Sequence, residues 1–283
     1  MNRDELSRVE YVVEMIDSIE IRKIIKEEIQ LIKDLPPPAW NLDLLKIFDL
    51  HFSQEYFYPV VALINNVIIG MGISVVNQNS AWLGTIIVKD EFRQKGIGKA
   101  ITVHLLDYCK NIETKILTAT DLGFPIYAKL GFKTEMNYVF YKSDKDLVFN
   151  KINKAIIPIS ESDLDEISNL DFIVTSEKRL ELLKNTWKNG FVFNDEKVKG
   201  YYLPDFGQGL IVADDETVGL ELLRYKIHKG ARLICIPENN KEAVQFLESL
   251  GFYRASVAPR MYLGEELKWN QEKIYSRGGG YIG

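Results

Sequence analysis

The apolar positions of this 283-residue chain switch between helical spacing and β-branched runs, and each switch marks a predicted element. Val9 to Glu14 reads as a short strand. Ser18 to Lys33 places Ile21, Ile24, Ile25, Ile29 and Ile32 at helical spacing, which predicts an amphipathic helix stopped by Pro36-Pro37-Pro38. Asp43 to Leu50 predicts a second, shorter helix. Pro59 to Ile64 and Val67 to Val76 are β-branched runs joined by Asn65-Asn66, a pair that tolerates the positive φ of a tight hairpin. The turn Asn77-Gln78-Asn79 leads to a third strand, Ala81 to Val88. A glycine-bearing loop follows, then a helix from Gly98 to Lys110 and a strand from Lys115 to Thr120. A short helix from Pro125 to Leu130 and one or two strands across Phe132 to Tyr141 complete the first half. This order predicts an α/β class with a mixed sheet.

Polar Ser143 to Lys154 reads as a linker, after which the pattern repeats weakly. Ile156 to Ile159 is a strand, and Ser160-Glu161-Ser162-Asp163 has the form of a helix-starting capping box. Leu210 to Ala213 and Arg232 to Ile236 read as strands, Thr217 to Lys229 and Lys241 to Leu250 as helices. Leu130-Gly131-Phe132 is echoed by Leu250-Gly251-Phe252, and Leu105-Leu106-Asp107-Tyr108 by Leu222-Leu223-Arg224-Tyr225. The echoes predict a duplicated fold, with one domain over 1–145 and a second over 155–283. That split also suits the usual domain size of roughly 100–200 residues.

A hydrophobic content of 46% supplies apolar material for two cores. The net charge is −5 and neither half is basic, so no nucleic-acid partner held by phosphate neutralisation is expected. The chain has no apolar run of about 18 residues and no signal-peptide stretch after Met1. No membrane partner is therefore expected, and the simplest reading is a soluble cytoplasmic protein. Cys109 and Cys235 are the only cysteines, and His51, His104 and His228 stand in no metal-ligand spacing. Neither a disulfide framework nor a metal is implied. No pattern fixes the oligomeric state.

The chemistry-bearing stretch runs from Ile86 to Lys99. A strand ends at Val88, a turn carries Arg93, Lys95, Gly96 and Gly98, and a helix begins. The first amides of a helix lack intrahelical partners and carry partial positive charge. Glycines there let an anion reach the backbone, which suits a pyrophosphate. A Walker loop fails, because no glycine stands five residues before Gly98 and Ala100 replaces its Ser or Thr. A dinucleotide loop fails because Ile101 stands where the third glycine belongs.

The spacing V-x4-RxxGxG ahead of an amphipathic helix resembles the GNAT superfamily, the Gcn5-related N-acetyltransferases, and the surrounding element order matches that family too. The resemblance implies two tandem acyl-CoA N-acyltransferase folds. It also implies an enzyme that moves acetyl from acetyl-CoA directly to an amine of a small acceptor, such as an amino acid or polyamine, without a metal. Cofactor contacts are implied for the main chain of Ile86, Ile87 and Val88, and for Arg93, Gln94, Lys95, Gly96, Ile97, Gly98 and Lys99 near the phosphates. Tyr127, four residues before Gly131-Phe132, matches the family's general acid. A phenol near pKa 10 stays protonated at pH 7 and can donate to a thiolate whose acid is near 8.5.

Two positions depart from the family. Thr120 stands where many members carry an asparagine that contacts the cofactor's amide arm. The strand Ala81 to Val88 carries no glutamate to act as base, which leaves Asp121, Glu55, His51 or water. Deprotonating an amine of pKa near 10.4 at pH 7 costs about 4–5 kcal/mol. The missing acid also supports an alternative, a non-catalytic acyl-CoA sensor or interaction protein. In the second half Asp214-Asp215-Glu216-Thr217 replaces the glycine loop and Leu247 replaces the tyrosine, so that half resembles a degenerate GNAT domain that binds no cofactor. It is expected to wall the acceptor side with Tyr201, Tyr202 or Tyr262, and Trp40 is expected near the same side.

Overall fold

The structure is a computed structural model that describes residues 19–40 and 42–283; the strand expected at Val9 to Glu14 lies outside them. The chain divides into two compact units, one formed by residues up to Val76 with Ala81–Asn111, the other by Asn77–Ser80 with Ile112–Gly283. No helix among the described residues is long and apolar enough to cross a membrane.

In the first unit four antiparallel strands lie in chain order: β1 (Glu20–Lys23), β2 (Phe57–Ile64), β3 (Val67–Val76) and β4 (Ser80–Val88). The β2–β3 turn is the expected one, with Asn65 at φ 49 and Asn66 at φ 62. Helix α1 (Leu44–His51) starts where Asp43 accepts a hydrogen bond from the Lys46 amide at 3.1 Å. Helix α2 (Ile97–Tyr108) lies directly on the backbone of β3. A Cβ at Gly72 would stand 2.6 Å from Ile101 Cγ2 and 3.0 Å from Leu105 Cδ1, so only glycine permits that approach.

The helix expected over Ser18 to Lys33 is not formed. Glu20–Lys23 instead pairs with β2, from Glu20 opposite Leu63 to Lys23 opposite Val60, and a 3₁₀ turn covers Lys26–Leu31. Ile24 and Ile32 are buried but Ile25 is 51% exposed, so the isoleucines do not share one face. β-Branched residues are weak helix formers, and the open edge of β2 offers backbone partners that a helix would leave unused. Arg22 then grips Glu28 with two hydrogen bonds of 2.9 and 2.6 Å, tying strand to turn. That guanidinium holds the Glu28 carboxyl below the usual carboxylate range.

In the second unit the chain adds β5 (Thr114–Thr118), helix α3 (Phe124–Lys129), β6 (Lys133–Lys142) and β7 (Ile156–Pro158). Helices α4 (Leu164–Thr175) and α5 (Leu180–Thr186), strands β8 (Phe191–Asp195), β9 (Lys197–Leu203) and β10 (Leu210–Ala213), and helix α6 (Glu216–His228) follow. The last elements are β11 (Leu233–Pro237), helix α7 (Lys241–Ser249), β12 (Tyr253–Gly264) and β13 (Ile274–Ser276). One sheet runs β13-β10-β9-β8-β7.

The other run of strands is β5-β12-β6-β11, each pair antiparallel. Here the two sequence halves interdigitate: β12 from the second lies between two strands of the first, and β6 from the first lies between two of the second. The register sets Arg260 opposite both Thr118 and Met136. Tyr138 pairs with Ala258 and Pro237, and Phe140 with Ser256 and Cys235. Because side chains alternate along strands, these positions share one sheet face. On the opposite face Val139, Ile234 and Ile236 join the core under α6 and α7, with Leu222, Leu223 and Leu247.

The segment from 164 to 203 carries two helices and a hairpin that apolar spacing does not announce. A buried ion pair interrupts the stripe there: Asp171 on α4 meets Arg179 just before α5, both side chains 1% exposed.

Candidate active site

In β4 the ladder slips. Met71 faces Ile87 and Ile73 faces Gly84, so Thr85 and Ile86 together oppose Gly72. This is a β-bulge, with Thr85 in the left-handed region at φ 52. A bulge bends the strand and takes main-chain groups out of the ladder, which frees Thr85–Ile86 for an extended ligand. Ile87 is buried at 3%, and Val88 closes the strand opposite Gly70.

The loop beyond is held by its own residues. The Arg93 Nε donates to the Val88 carbonyl at 3.1 Å, and its Nη2 lies 2.7 Å from Asp90. Arg93 thus shapes the loop as well as charging it. The Lys95 ammonium stands 5.4 Å from the Phe92 ring, while Gln94 and Lys99 are exposed. Gln94 (φ 60) and Gly96 (φ 81) both take left-handed conformations and turn the chain into α2. Gly96 is the N-cap of α2, no side chain caps it, and the first helical bond runs from the Ala100 amide to the Gly96 carbonyl at 3.0 Å. The amides of Ile97, Gly98 and Lys99 precede that bond and have no intrahelical acceptor. The Thr102 hydroxyl turns back to the Gly98 carbonyl at 2.7 Å, away from them. An uncapped helix start beside Lys95 and Lys99 fits the diphosphate of a coenzyme A thioester.

The corresponding helix of the second half is closed. Asp215 caps α6 with its own carboxylate, accepting from the Val218 amide at 3.0 Å. A second anion there would meet Asp214, Asp215 and Glu216. Leu247, which replaces the tyrosine, is fully buried.

In the second unit one turn leads from Thr120 into the helix that carries Tyr127. The Gly123 amide donates to the Thr120 carbonyl at 3.0 Å, with the Thr120 hydroxyl 3.2 Å from it, and the Phe124 amide reaches the same carbonyl at 2.9 Å. Thr120 thereby closes the turn that precedes α3, whose N-cap is Gly123. Tyr127 is 8% exposed, its ring edge-on to Phe132 at 6.0 Å. A Cβ at Gly123 would stand 2.7 Å from the Tyr127 ring, so glycine makes room for the phenol. Burial pushes the Tyr127 phenol up to about 12, which keeps it a proton donor at any physiological pH.

Other candidates are placed elsewhere. Tyr201 is fully buried and donates its hydroxyl to Asp171, and Tyr202 is 7% exposed beneath the ammonium of Lys226. Both are interior residues of β9. Tyr262 is half-buried and bonds Glu266 at 3.2 Å; Trp40 is half-buried at the end of a 3₁₀ turn. His51 is sealed in the first core beside Phe57, its Nδ1 3.0 Å from the Tyr56 hydroxyl, and burial lowers it to about 4. Glu55 and Asp121 are exposed. Among the described residues no three His, Cys, Asp or Glu side chains gather as a cation site.

Sequence and structure comparisons bear on the family and the fold. The acetyltransferase (GNAT) family model matches residues 25–132, and a second acetyltransferase (GNAT) domain model matches 167–276. A Pyrococcus horikoshii protein described as a putative acetyltransferase superimposes with a TM-score of 0.81 over 94% of this chain and 96% of its own, at 21% identity. A tandem GNAT protein from the clavulanic acid biosynthesis pathway superimposes with a TM-score of 0.59 over 88% and 99%, at 14% identity. At those identities the likeness is one of fold. The human cysteine-rich protein 2-binding protein is 32% identical over 133 residues, 39% of this chain, and the match spans 17% of the human protein's length. With two such domains on a mixed α/β framework, a fold that supports acyl transfer, the chain belongs to the GNAT superfamily as a tandem-domain member.

Proposed function

We propose that this protein is an acetyltransferase that moves the acetyl group of acetyl-CoA directly to the amine of a small acceptor. The single observation that carries the reading is the uncapped start of α2, where Gly96 presents bare amides beside Lys95 and Lys99. On this reading a catalytic domain over 1–145 is followed by a companion over 155–283 whose own helix start is closed by Asp215. The diphosphate rests on the amides of Gly96, Ile97 and Gly98, with Lys99 adding charge. Arg93 and Gln94 hold the loop open, and the main chain of Ile86, Ile87 and Val88 lines the pantetheine arm along the bulge. Thr120 contributes by starting the turn that carries Tyr127, rather than as a free amide substitute.

In the transfer step the neutral amine nitrogen forms a bond to the thioester carbon while the carbon–sulfur bond breaks. The sulfur takes the Tyr127 proton, the amine proton passes to solvent, and solvent returns a proton to Tyr127. Burial keeps that phenol in its protonated form at neutral pH. No metal enters the step. A titration calorimeter detects acetyl-CoA binding, and thiol release across amines and amino acids detects transfer. Absence of acetyl-CoA uptake refutes the reading.

A second reading, an acyl-CoA sensor without turnover, is favoured by one feature: β4 offers no carboxylate to take the amine's proton. Binding of acetyl-CoA without thiol release across the whole panel selects it.

A further inference from the structure

Among the described residues four cations are buried in the second unit, and three have their charge or donors answered by the chain. Arg179 donates Nε and Nη2 to the two oxygens of Asp171 at 2.9 and 2.8 Å. Arg260 pairs with Glu135 and lies 4.4 Å from the Trp269 ring. Lys226 has three ammonium hydrogens and three acceptors: Gln208 O at 2.7 Å, Gly209 O at 2.9 Å and Ser276 Oγ at 2.6 Å.

Arg277 is different. It is 4% exposed, its Nη1 donates to Thr118 Oγ1 at 2.9 Å, and the guanidinium lies 4.8 Å from the Tyr138 ring and 5.2 Å from the Phe140 ring. Its backbone amide is anchored to the Cys235 carbonyl at 2.7 Å. Its Nε has no hydrogen-bond partner, and no carboxylate pairs with it among the described residues. A guanidinium taken out of water without a counter-charge is strongly unfavourable, and aromatic faces offset only part of that cost. Thr118 and Phe140, its neighbours, are both half-buried.

We propose that Arg277 receives a carboxylate carried by the acceptor, so that the acceptor is an amino acid rather than a polyamine. That this ligand is the acceptor rests on the acetyl-transfer reading; the carboxylate site does not. The chemistry favours a carboxylate because its two oxygens match the planar fork of a guanidinium. A single counter-charge also balances a single cation, whereas a phosphate dianion would leave excess charge against Tyr138 and Phe140. A polyamine would bring more cations to a face that already carries Arg260 and Arg277. Thr118 ends β5 two residues before Thr120, the residue that starts the turn to Tyr127, so the site lies on the strand that leads to the proton donor.

The test titrates the full-length protein calorimetrically with the common amino acids and with the amines left when each loses its carboxylate. At least one amino acid is expected to bind, and its matched amine to bind about tenfold to a hundredfold more weakly, the range for a charged hydrogen bond. Arg277→Met removes the preference. Because it replaces an unanswered charge by an apolar chain, it melts no lower than the parent without ligand. Thr118→Val, which leaves the charge but frees its orientation, weakens amino-acid binding less. Should Arg277→Met not fold, Thr118→Val still reports. Equal binding of acids and amines, no binding of any amino acid, or undiminished preference in Thr118→Val and Arg277→Met overturns the proposal. Acetyl-CoA is titrated alongside. Uptake of acetyl-CoA without a carboxylate preference removes this site and leaves the enzyme reading, and the reverse pattern does the opposite.

Discussion

Substituting Gly72 by alanine tests whether the approach of α2 to β3 sets the grip on the cofactor. The new methyl would stand 2.6 Å from Ile101 Cγ2 and 3.0 Å from Leu105 Cδ1. Carbon atoms settle at about 3.5–4.0 Å, so the deficit is about 1 Å. Ile101 and Leu105 are both fully buried and have no solvent side to rotate into. The helix must therefore lift, at an overpacking cost of about 1–3 kcal/mol. For a chain of this size that lowers Tm by roughly 2–10 °C. The amides at Gly96 to Gly98 move with the helix, and acetyl-CoA affinity falls by about tenfold, the loss of roughly one well-aligned charged hydrogen bond. Gly230→Ala is the control. Nothing lies within 4 Å of its added methyl, but φ is +94, so it strains the backbone without touching α2. It should lower Tm slightly and leave affinity unchanged. Thermal melts and calorimetric titration of both variants decide the matter. If Gly72→Ala loses stability but keeps full affinity, the diphosphate does not rest on the start of α2.

Tyr127→Phe should fold and bind acetyl-CoA normally but lose about 10²–10⁴-fold in thiol release, the usual share of a general acid; unchanged turnover removes Tyr127 from the mechanism. His51 should give the acid limb of the stability profile a definite shape. Its folded value is lowered to about 4 by burial against about 6.5 unfolded, so only the unfolded chain binds the proton between them. Stability is thus unaffected above pH 6.5 and falls by about 3 kcal/mol as pH drops to 4. Melts of His51→Gln across that window should be flatter, and an identical slope refutes the assignment. Asp171→Asn takes from buried Arg179 the nearer of its two carboxylates, leaving Glu177 at 3.7 Å, and should cost about 1.5–3 kcal/mol in denaturant unfolding; a loss under about 1 kcal/mol would mean that solvent reaches the pair.

Elements governed by neighbours in the chain were legible from residues alone. Asn65-Asn66 makes its hairpin and Asp43 caps α1, because a turn or cap needs only what lies within four residues. The glycine loop could be read as an anion grip for the same reason: Gly96 and the first turn of α2 contain all the atoms concerned. Asp214 to Glu216 likewise announce a helix start that anions would avoid, and Asp215 caps it.

What tertiary structure alone decided depends on partners far away in sequence. The isoleucines after Ser18 fit a helix by spacing, yet the free edge of β2, some forty residues on, draws Glu20–Lys23 into a strand. Likewise, β12 inserts between β5 and β6 because its register partners span both halves of the chain, which no local period encodes. Tyr201 and Tyr202 resemble surface candidates until Asp171 and Lys226 enclose them. Arg277 reads as one more charged residue near a glycine-rich tail. Only folding puts Thr118, Tyr138 and Phe140 around it and leaves its charge unanswered. Local hydrogen bonding is written in neighbouring residues, whereas burial and charge pairing are properties of positions that only the folded chain brings within a few ångströms.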